Sequence, residues 1–338
     1  MKKRAILTLV VAELAVVCFA FGAAHAACTA IPEASFSIDG ISGLNAEVIN
    51  SPSPVTGVVD ATGCDLGVYF SPGKSGSVAN ATVFGAKLAG IVNNGADVSI
   101  EGNSVYQIGD NPLDGAQYGL AIYVDGLNSP ASGNVTHNIV WNFQKNGITI
   151  KAANSDVVGN TVIGEGPVSY IAQNGIEVGD DAETVVKHNY VFGMSYTGPD
   201  FTFATGVLIF GGPCFGTPIQ AHTLITGNNL SGSDVGVASA NLAAGCTQSV
   251  SSDTKNKITF NFIRNNGIFN TTGGPLTGAG SVGPYQAGVS DQGKKDQIFA
   301  NSICGIGYTP ATSTPPYLFA VDDSIAIDPD EALNFCFN

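Results

Sequence analysis

Gly147-Ile148-Thr149-Ile150 and Gly175-Ile176-Glu177-Val178 are two copies of a short motif that decides the fold of this chain. In each copy a Gly is followed by apolar residues at every second position, a period that predicts β-strands. Further copies begin at Gly67, Gly119 and Gly206, and weaker ones at Gly90, Gly236 and Gly288. Repetition at such intervals is the signature of a solenoid in which each repeat forms one coil.

An Asn follows each copy and precedes another apolar stretch. Asn tolerates the left-handed backbone region that tight turns require. Side-chain amides stacked at the strand spacing also form hydrogen-bonded ladders. We therefore expect these Asn to lie one above another, with Ile148, Ile150 and Ile176 stacked inside. The residues are Asn80, Asn103, Asn138, Asn160, Asn189, Asn228, Asn261 and Asn301.

The repeats predict an all-β fold: a single right-handed parallel β-helix of about nine coils with disulfide-pinned ends. The interval between Gly236 and Gly288 is long, and we expect it to contain one irregular coil. The predicted organisation is a signal peptide (1–26), an N-terminal cap or first coil (27–60), the β-helix (61–305) and a C-terminal cap or tail (306–338).

The N-terminus and the cysteines both indicate export. Lys2, Lys3 and Arg4 precede an apolar stretch and the small-residue pattern Ala24-His25-Ala26, which is typical of a signal peptide cleaved after Ala26. An even number of cysteines then remains, which favours disulfides in an oxidising compartment, although several connectivities are possible. We favour the sequence neighbours Cys28–Cys64, Cys214–Cys246 and Cys304–Cys336. The expected location is secreted or periplasmic, with no transmembrane segment in the mature chain.

The net charge of the chain narrows the classes of ligand that it can bind. The formal net charge is −14, and no cluster of Lys and Arg exists that could displace counterions from nucleic acid. The same field repels polyanionic glycans unless a cation such as calcium bridges them. Arg264 is the only Arg after the signal peptide, and this scarcity of bases counts against a pectate-lyase or alginate-lyase mechanism. We expect a monomer.

The repeats resemble those of right-handed parallel β-helix proteins of the pectate-lyase-like superfamily. Four stretches are most similar to a group of secreted bacterial β-helix proteins without assigned activity. They are Gly63-Cys64-Asp65-Leu66-Gly67-Val68-Tyr69, Tyr170-Ile171-Ala172-Gln173-Asn174-Gly175-Ile176, Phe210-Gly211-Gly212-Pro213-Cys214 and Tyr285-Gln286-Ala287-Gly288-Val289-Ser290-Asp291. The resemblance covers about residues 55–310 and implies the fold, not a reaction.

Two sets of residues are candidates for ligand binding. The first set combines amides and phenol rings near the repeat Gly, which would bond sugar hydroxyls and stack on sugar rings; the alternative is a polar ladder that braces a turn. It consists of Gln117, Gln144, Gln173, Gln286, Tyr118, Tyr170 and Tyr285. The second set lies on the predicted outward face of the Gly-led sheet and suits a polysaccharide; the alternative is a solvated face with a Lys151–Glu177 salt bridge. It consists of Tyr69, Tyr123, Thr149, Lys151, Glu177 and Phe210.

Acidic residues form the third candidate set. Asp110, Asp114 and Asp125 fall in and after an insertion before Gly119, where carboxylates could act on a glycosidic bond. Asp180, Asp181 and Glu183 could bind calcium, or form a solvated turn. Together the patterns favour an exported protein that binds or processes an extracellular polysaccharide. The alternatives are a noncatalytic structural or adhesion protein and a polysaccharide lyase.

Overall fold

The structure is a computed structural model that describes residues 27–271, 276–277, 280–281, 283–312 and 314–336. The predicted signal peptide lies outside the described residues. One 3₁₀ helix covers Pro213–Phe215. In chain order the strands are β1 Thr29–Ala30, β2 Asn45–Ile49, β3 Val55–Asp60, β4 Leu66–Phe70, β5 Ser75–Phe84, β6 Ala89–Asn94, β7 Asp97–Glu101, β8 Ser104–Ile108, β9 Leu120–Asp125, β10 Val135–Thr136, β11 Ile139–Phe143, β12 Asn146–Lys151, β13 Val157–Val158, β14 Thr161–Val168, β15 Asn174–Gly179, β16 Val185–Lys187, β17 Tyr190–Tyr196, β18 Thr205–Gly211, β19 Leu224–Thr226, β20 Asn229–Ser231, β21 Val235–Asn241, β22 Lys257–Thr259, β23 Phe262–Arg264, β24 Leu276–Thr277, β25 Gly280–Ser281, β26 Tyr285–Asp291, β27 Gln297–Phe299, β28 Ser302–Cys304, β29 Tyr317–Asp322 and β30 Asp330–Ala332.

The strands build a parallel β-helix. The first sheet has the order β1-β2-β4-β6-β9-β12-β15-β18-β21-β26-β29, and every pairing in it after β1–β2 is parallel. The second sheet consists of two parallel ladders that meet in the long strand β5, which pairs with β7 through its first half and β8 through its second. Each coil thus contributes one strand to the first sheet and its remaining strands to the second.

The first sheet runs from β2 to β29 through ten successive parallel strands, in keeping with the expected number of about nine coils. The expected irregular coil between Gly236 and Gly288 was wrong: Val237 pairs directly with Val289, so the long interval holds β22, β23, the antiparallel pair β24–β25 and loops within one coil. Residues 306–338, expected to be a cap or tail, provide β29 and β30, which extend both sheets.

The Asn ladder exists, but its turn chemistry differs from the expectation. From Asn103 to Asn334, each side-chain Nδ2 donates to Oδ1 of the Asn one coil further on, at 2.9–3.0 Å. The left-handed conformation belongs to the residue before the Asn, for example His137 (φ 55°) and His188 (φ 57°). Asn80 has that conformation itself (φ 52°) and lies outside the ladder, which begins with the backbone N–H of Ala81.

The repeat Gly is required by a close approach between coils. A methyl group added at Gly147 would lie 2.6 Å from the carbonyl oxygen of Gly175, and one at Gly175 would lie 2.6 Å from that of Gly206. Stacked Ile and Val side chains fill the interior; the partners Ile148 and Ile176 are both fully buried. The three predicted disulfides are confirmed: Cys28–Cys64, Cys214–Cys246 and Cys304–Cys336.

Candidate functional site

The outer face of the first sheet is covered at its N-terminal end. Residues 31–44, which we call the cover, place Ile31, Phe36 and Ile38 against the outward side chains of β4, β6 and β9. The Cys28–Cys64 disulfide anchors the chain immediately before the cover. Burial of this apolar layer removes the first coils of the face from solvent.

The cover overturns the expected exposure of Tyr69. Its ring is fully buried; its hydroxyl donates to Oε2 of Glu33 at 2.7 Å and accepts from Nδ2 of Asn94 at 2.6 Å. Burial is the largest cause that raises the pKa of Tyr69 above its ordinary value. Tyr123 is also buried, with 6 % of its surface exposed, but it lines the open part of the face. The expectation that Tyr69 stands on an exposed, ligand-binding face was therefore wrong.

Beyond the cover the same face opens into a cleft of about 440 Å³, which we call the outer cleft. Its floor and walls come from β9, β12, β15 and β18, with the cover forming one rim. It brings together six of the predicted ligand-binding residues. These are Gln117, Tyr123, Thr149, Lys151, Glu177 and Phe210, joined by Leu120, Lys145, Asn146, Leu127, Ser37, Ile38 and Asp39.

A lateral hydrogen-bond network fixes the floor of the outer cleft. Asn146 donates through Nδ2 to Oγ1 of Thr149 at 3.0 Å and to Oε2 of Glu177 at 2.9 Å. Asn174 donates to Oδ1 of Asn146 at 3.0 Å, and Thr205 donates to Oδ1 of Asn174 at 2.8 Å. These side chains cross three coils and leave the floor polar and rigid.

One end of the outer cleft carries opposed charges. Lys151 is the register partner of Asp125, and its Nζ lies 3.8 Å from Oδ2 of Asp180, not beside Glu177 as the expected salt bridge required. Burial raises the pKa of Asp125, which accepts the backbone N–H of Leu127 at 2.9 Å. Asp125 is thus a buried carboxyl beside Lys151, and burial disfavours its charged form.

Aromatic side chains form the other end. An adjoining cleft of about 300 Å³ shares Lys145 and Phe210 with the outer cleft and is lined by Phe201, Phe203 and Phe215. The rings of Phe210 and Phe215 lie 4.2 Å apart between centroids. Between the two clefts, Lys145 donates to the carbonyl of Ala172 at 2.9 Å, and burial lowers the pKa of its amine.

Three of the four predicted Gln brace turns and line no open groove. Gln144, Gln173 and Gln286 are all buried. Gln173 donates to the carbonyl of Phe143 at 2.6 Å and accepts the backbone N–H of Glu165 at 2.9 Å. Tyr285 is buried as well and donates to Oδ2 of Asp322 at 2.8 Å. Their ligand-binding roles are corrected to structural ones; only Gln117 is exposed at the cleft.

Asp110 and Asp114 lie away from the outer cleft, at a separate corner of the helix. The hydroxyl of Tyr118 donates to Oδ2 of Asp110 at 2.6 Å, and this hydrogen bond raises the pKa of Tyr118 to about 12. Asp110 lines a corner cleft of about 410 Å³ with Glu165 and Tyr170. The predicted catalytic set is therefore divided, because Asp125 is buried beside Lys151, its register partner.

The predicted calcium ligands diverge. Asp180 is buried towards Lys151, whereas exposed Glu183 accepts a hydrogen bond from Asn154 at 3.4 Å. Asp181 is exposed in a left-handed conformation, φ 62°. Within the described ranges, no group of three or more His, Cys, Asp or Glu residues is arranged to hold a metal ion. The divergence of these side chains favours the alternative, a turn.

Several cleft residues escaped sequence reasoning for a physical reason. A strict period of two places Asn146 on the inner side with Ile148, yet its amide bonds with Thr149 and Glu177 on the outer face. Gly147 is not among the register-paired residues of β12 and β15, and the alternation of side chains between the inner and outer faces is interrupted there. The Asn-Gly pairs at the head of β12 and β15 were the available signal.

Comparisons with known proteins assign no family to the chain. No family model matches the chain, and no curated protein matches it. Among solved structures, the crystal structure of the Dettilon tailspike protein is similar over 86% of this chain, at 15% sequence identity and a TM-score of 0.42. The matched region spans 61% of that tailspike chain. In the described part of the present chain, no helix has the length and apolar character needed to cross a membrane.

Proposed function

We propose that this chain is an exported protein that binds a linear polysaccharide along the outer cleft and the adjoining aromatic cleft. The observation that carries the proposal is one strip of sheet on which fixed polar groups adjoin aromatic rings. Concave sites with an aromatic lining and a few placed polar groups are typical of ligand binding.

The dimensions of the strip suit an extended chain. It crosses β9, β12, β15, β18 and β21, so its two ends are about 19 Å apart at the usual strand spacing. Asn146 and Glu177 offer hydrogen-bonding atoms to sugar hydroxyls, and Phe210 with Phe215 offers ring surface to the apolar faces of the sugars.

Rigidity supports binding by such a strip. Thr149 and Glu177 are held by Asn146, so the cleft loses little side-chain freedom when a ligand arrives. Three disulfides are typical of proteins in an oxidising compartment, which favours an extracellular or periplasmic ligand.

The test is a screen of soluble oligosaccharides by calorimetry, with a parallel assay for released reducing or unsaturated sugars. Phe210→Ala should weaken binding about tenfold, a loss of ~1.4 kcal/mol. Phe299→Ala is the matched control, because that ring is 37 % exposed on the other sheet; it should leave affinity unchanged. Equal losses in both variants, or no binding by any glycan, would contradict the proposal.

A further inference from the structure

Two carboxylates and two amines line the outer cleft: Asp39 and Glu177, with Lys145 and Lys151. The buried Asp180 lies 3.8 Å from Lys151, and the buried Asp125 is the register partner of Lys151. The formal net charge of the whole chain is −14. A polyanion is repelled by this overall field, whereas a cationic ligand is attracted.

The two amines are already engaged within the protein. Lys151 lies 3.8 Å from the carboxylate of Asp180, and Asp125 is its register neighbour. Lys145 donates to the carbonyl of Ala172 and loses basicity through burial. Neither amine is therefore an unshared partner for the carboxylates of a uronate chain.

Among the hydrogen bonds of the described residues, Glu177 uses only one of its two carboxylate oxygens. Its Oε2 accepts hydrogen bonds from Asn146 at 2.9 Å and Asn174 at 3.4 Å, which orients the group on the floor. Among the hydrogen bonds of the described residues, none uses Oε1, and the side chain is 8 % exposed at the cleft. An oriented carboxylate oxygen that faces a ligand is a strong acceptor for an ammonium group.

The neighbouring aromatic cleft has the opposite character. Phe201, Phe203, Leu208 and Phe215 line it, and acidic side chains are absent from its described lining. This end favours an uncharged sugar with an apolar substituent, such as an acetyl methyl. Along one strip, the ligand thus meets the oriented carboxylate of Glu177 and then an apolar section.

We infer that the polymer bound in the outer cleft is an amino-sugar polysaccharide, partly deacetylated, with a free ammonium group on Glu177 and an acetylated unit against the Phe210–Phe215 pair. This inference rests on the proposed function, since it names the ligand class of the same cleft. It requires no chemical step and no cofactor.

The experiment compares four six-unit oligosaccharides on the wild-type protein at mildly acidic pH and low salt: glucosamine, N-acetylglucosamine, glucose and a uronate. A partly acetylated glucosamine oligomer is the fifth ligand. We expect the partly acetylated oligomer to bind most tightly, with the glucosamine oligomer about tenfold tighter than glucose and the uronate weakest. Raising the salt should weaken the glucosamine oligomer more than the acetylated one.

Variants then locate the ammonium group. Glu177→Gln retains an oxygen for Asn146 but removes the charge, and it should weaken the glucosamine oligomer about tenfold while changing the acetylated oligomer less than about twofold. Glu101→Gln is the matched control, because that carboxylate is exposed in β7 on the other sheet. Circular dichroism and thermal melts check that both variants fold.

The outcomes separate the two proposals. Tighter binding of the uronate or glucose oligomer than of either amino oligomer overturns the amino-sugar inference and leaves polysaccharide binding intact. Equal losses in Glu177→Gln and Glu101→Gln overturn the placement of the ammonium group. Binding of none of the oligomers overturns polysaccharide binding itself. Because the ligand series uses the wild-type protein, an unfolded variant does not remove the test.

Discussion

Two regions on the outer face of the first sheet share the same strand pairing but differ in their side chains. One region is covered, and the other is open to the outer cleft. In a single column of register partners, Tyr69, Val92 and Tyr123 are followed by Thr149 and Glu177. The first part packs under the cover, whereas Thr149 and Glu177 form the floor of the outer cleft. Strand pairing continues unchanged through the boundary, so the side chains alone set the difference.

The contrast shows how a uniform solenoid acquires one local site. Ile38 belongs to the buried cluster of the cover and also lines the outer cleft, so the apolar layer ends at the cleft rim. Where the column becomes polar, lateral hydrogen bonds replace apolar packing. The covered region should therefore govern stability and the open region binding, and the following predictions test that division.

The largest expected effect is in the covered region. Tyr69→Ala removes a fully buried ring and breaks hydrogen bonds to Glu33 and Asn94. We expect a loss of about 5 kcal/mol in the free energy of unfolding, measured by urea denaturation. Tyr190→Ala is the control: that ring is 56 % exposed on the other sheet, and its loss should cost at most about 0.5 kcal/mol. Similar losses in both variants would contradict the claim that the covered region governs stability.

The next effect concerns the loop at the aromatic end of the open region. Buried Asp234 accepts the backbone N–H groups of Tyr196 and Ala204, at the two ends of the loop that carries Phe201 and Phe203. Burial is the main cause that raises the pKa of Asp234 from 3.8 to about 7. The folded state thus holds this proton more tightly than the unfolded chain does.

The sign of the pH dependence follows from that shift. The contribution of Asp234 to stability is complete below about pH 4 and is lost as the pH rises through 7, by up to about 4 kcal/mol. Asp234→Asn cannot ionise, so its stability should fall less over this window. Urea denaturation of both proteins from acidic to neutral pH measures the difference, which cancels contributions from other buried carboxyls. Parallel profiles would contradict the prediction.

Most of the scaffold was predictable from the sequence, because its physics is local and periodic. The Gly-led strands, the inward stack of Ile148 and Ile176, and the cysteine pairs follow from spacing and apolar alternation. The cover was not predictable, since it depends on a segment without repeats that folds back over distant coils. For that reason Tyr69 was expected on the surface and is fully buried.

The site was predictable only in part. Alternation placed Lys151, Glu177 and Phe210 correctly on one face, and all three line the outer cleft. The buried Gln173 and Gln286 satisfy backbone groups of loops, and loop conformations are not encoded in a repeat pattern. Asn146 was not predicted, because the alternation of side chains is interrupted at Gly147 and the Asn146 side chain therefore lies on the outer face.

A third prediction asks whether the cover is held separately from the coils. The Cys28–Cys64 bridge closes a segment with a sequence separation of 36 residues that contains the cover. Replacing both cysteines by Ser should cost about 3 kcal/mol and accelerate amide exchange within residues 31–44. Replacing Cys214 and Cys246 is the control, with a separation of 32 residues. It should lower stability similarly without changing amide exchange in the cover. Faster exchange in the cover of both variants would contradict the prediction that the cover is held separately from the coils.

The smallest effects come from exchanging two residues of the column, Val92 and Thr149, which differ by one hydroxyl for methyl. Val92→Thr buries a hydroxyl beneath the cover among apolar side chains, and we expect a cost of about 2 kcal/mol because the new donor lacks a partner. Thermal and urea denaturation measure it, with Val92→Ala as the control for lost volume.

The reciprocal change, Thr149→Val, keeps the shape of the floor but removes the oxygen that accepts Nδ2 of Asn146. Because Asn146 still donates to Glu177 at 2.9 Å, we expect a cost of only about 1 kcal/mol. In the double variant the two costs should add, since Tyr123 separates the positions by one further coil and they share no hydrogen bond. Full compensation in the double variant, or a stabilising Val at position 149, would show that packing alone determines the whole face and that the polar floor has no structural role.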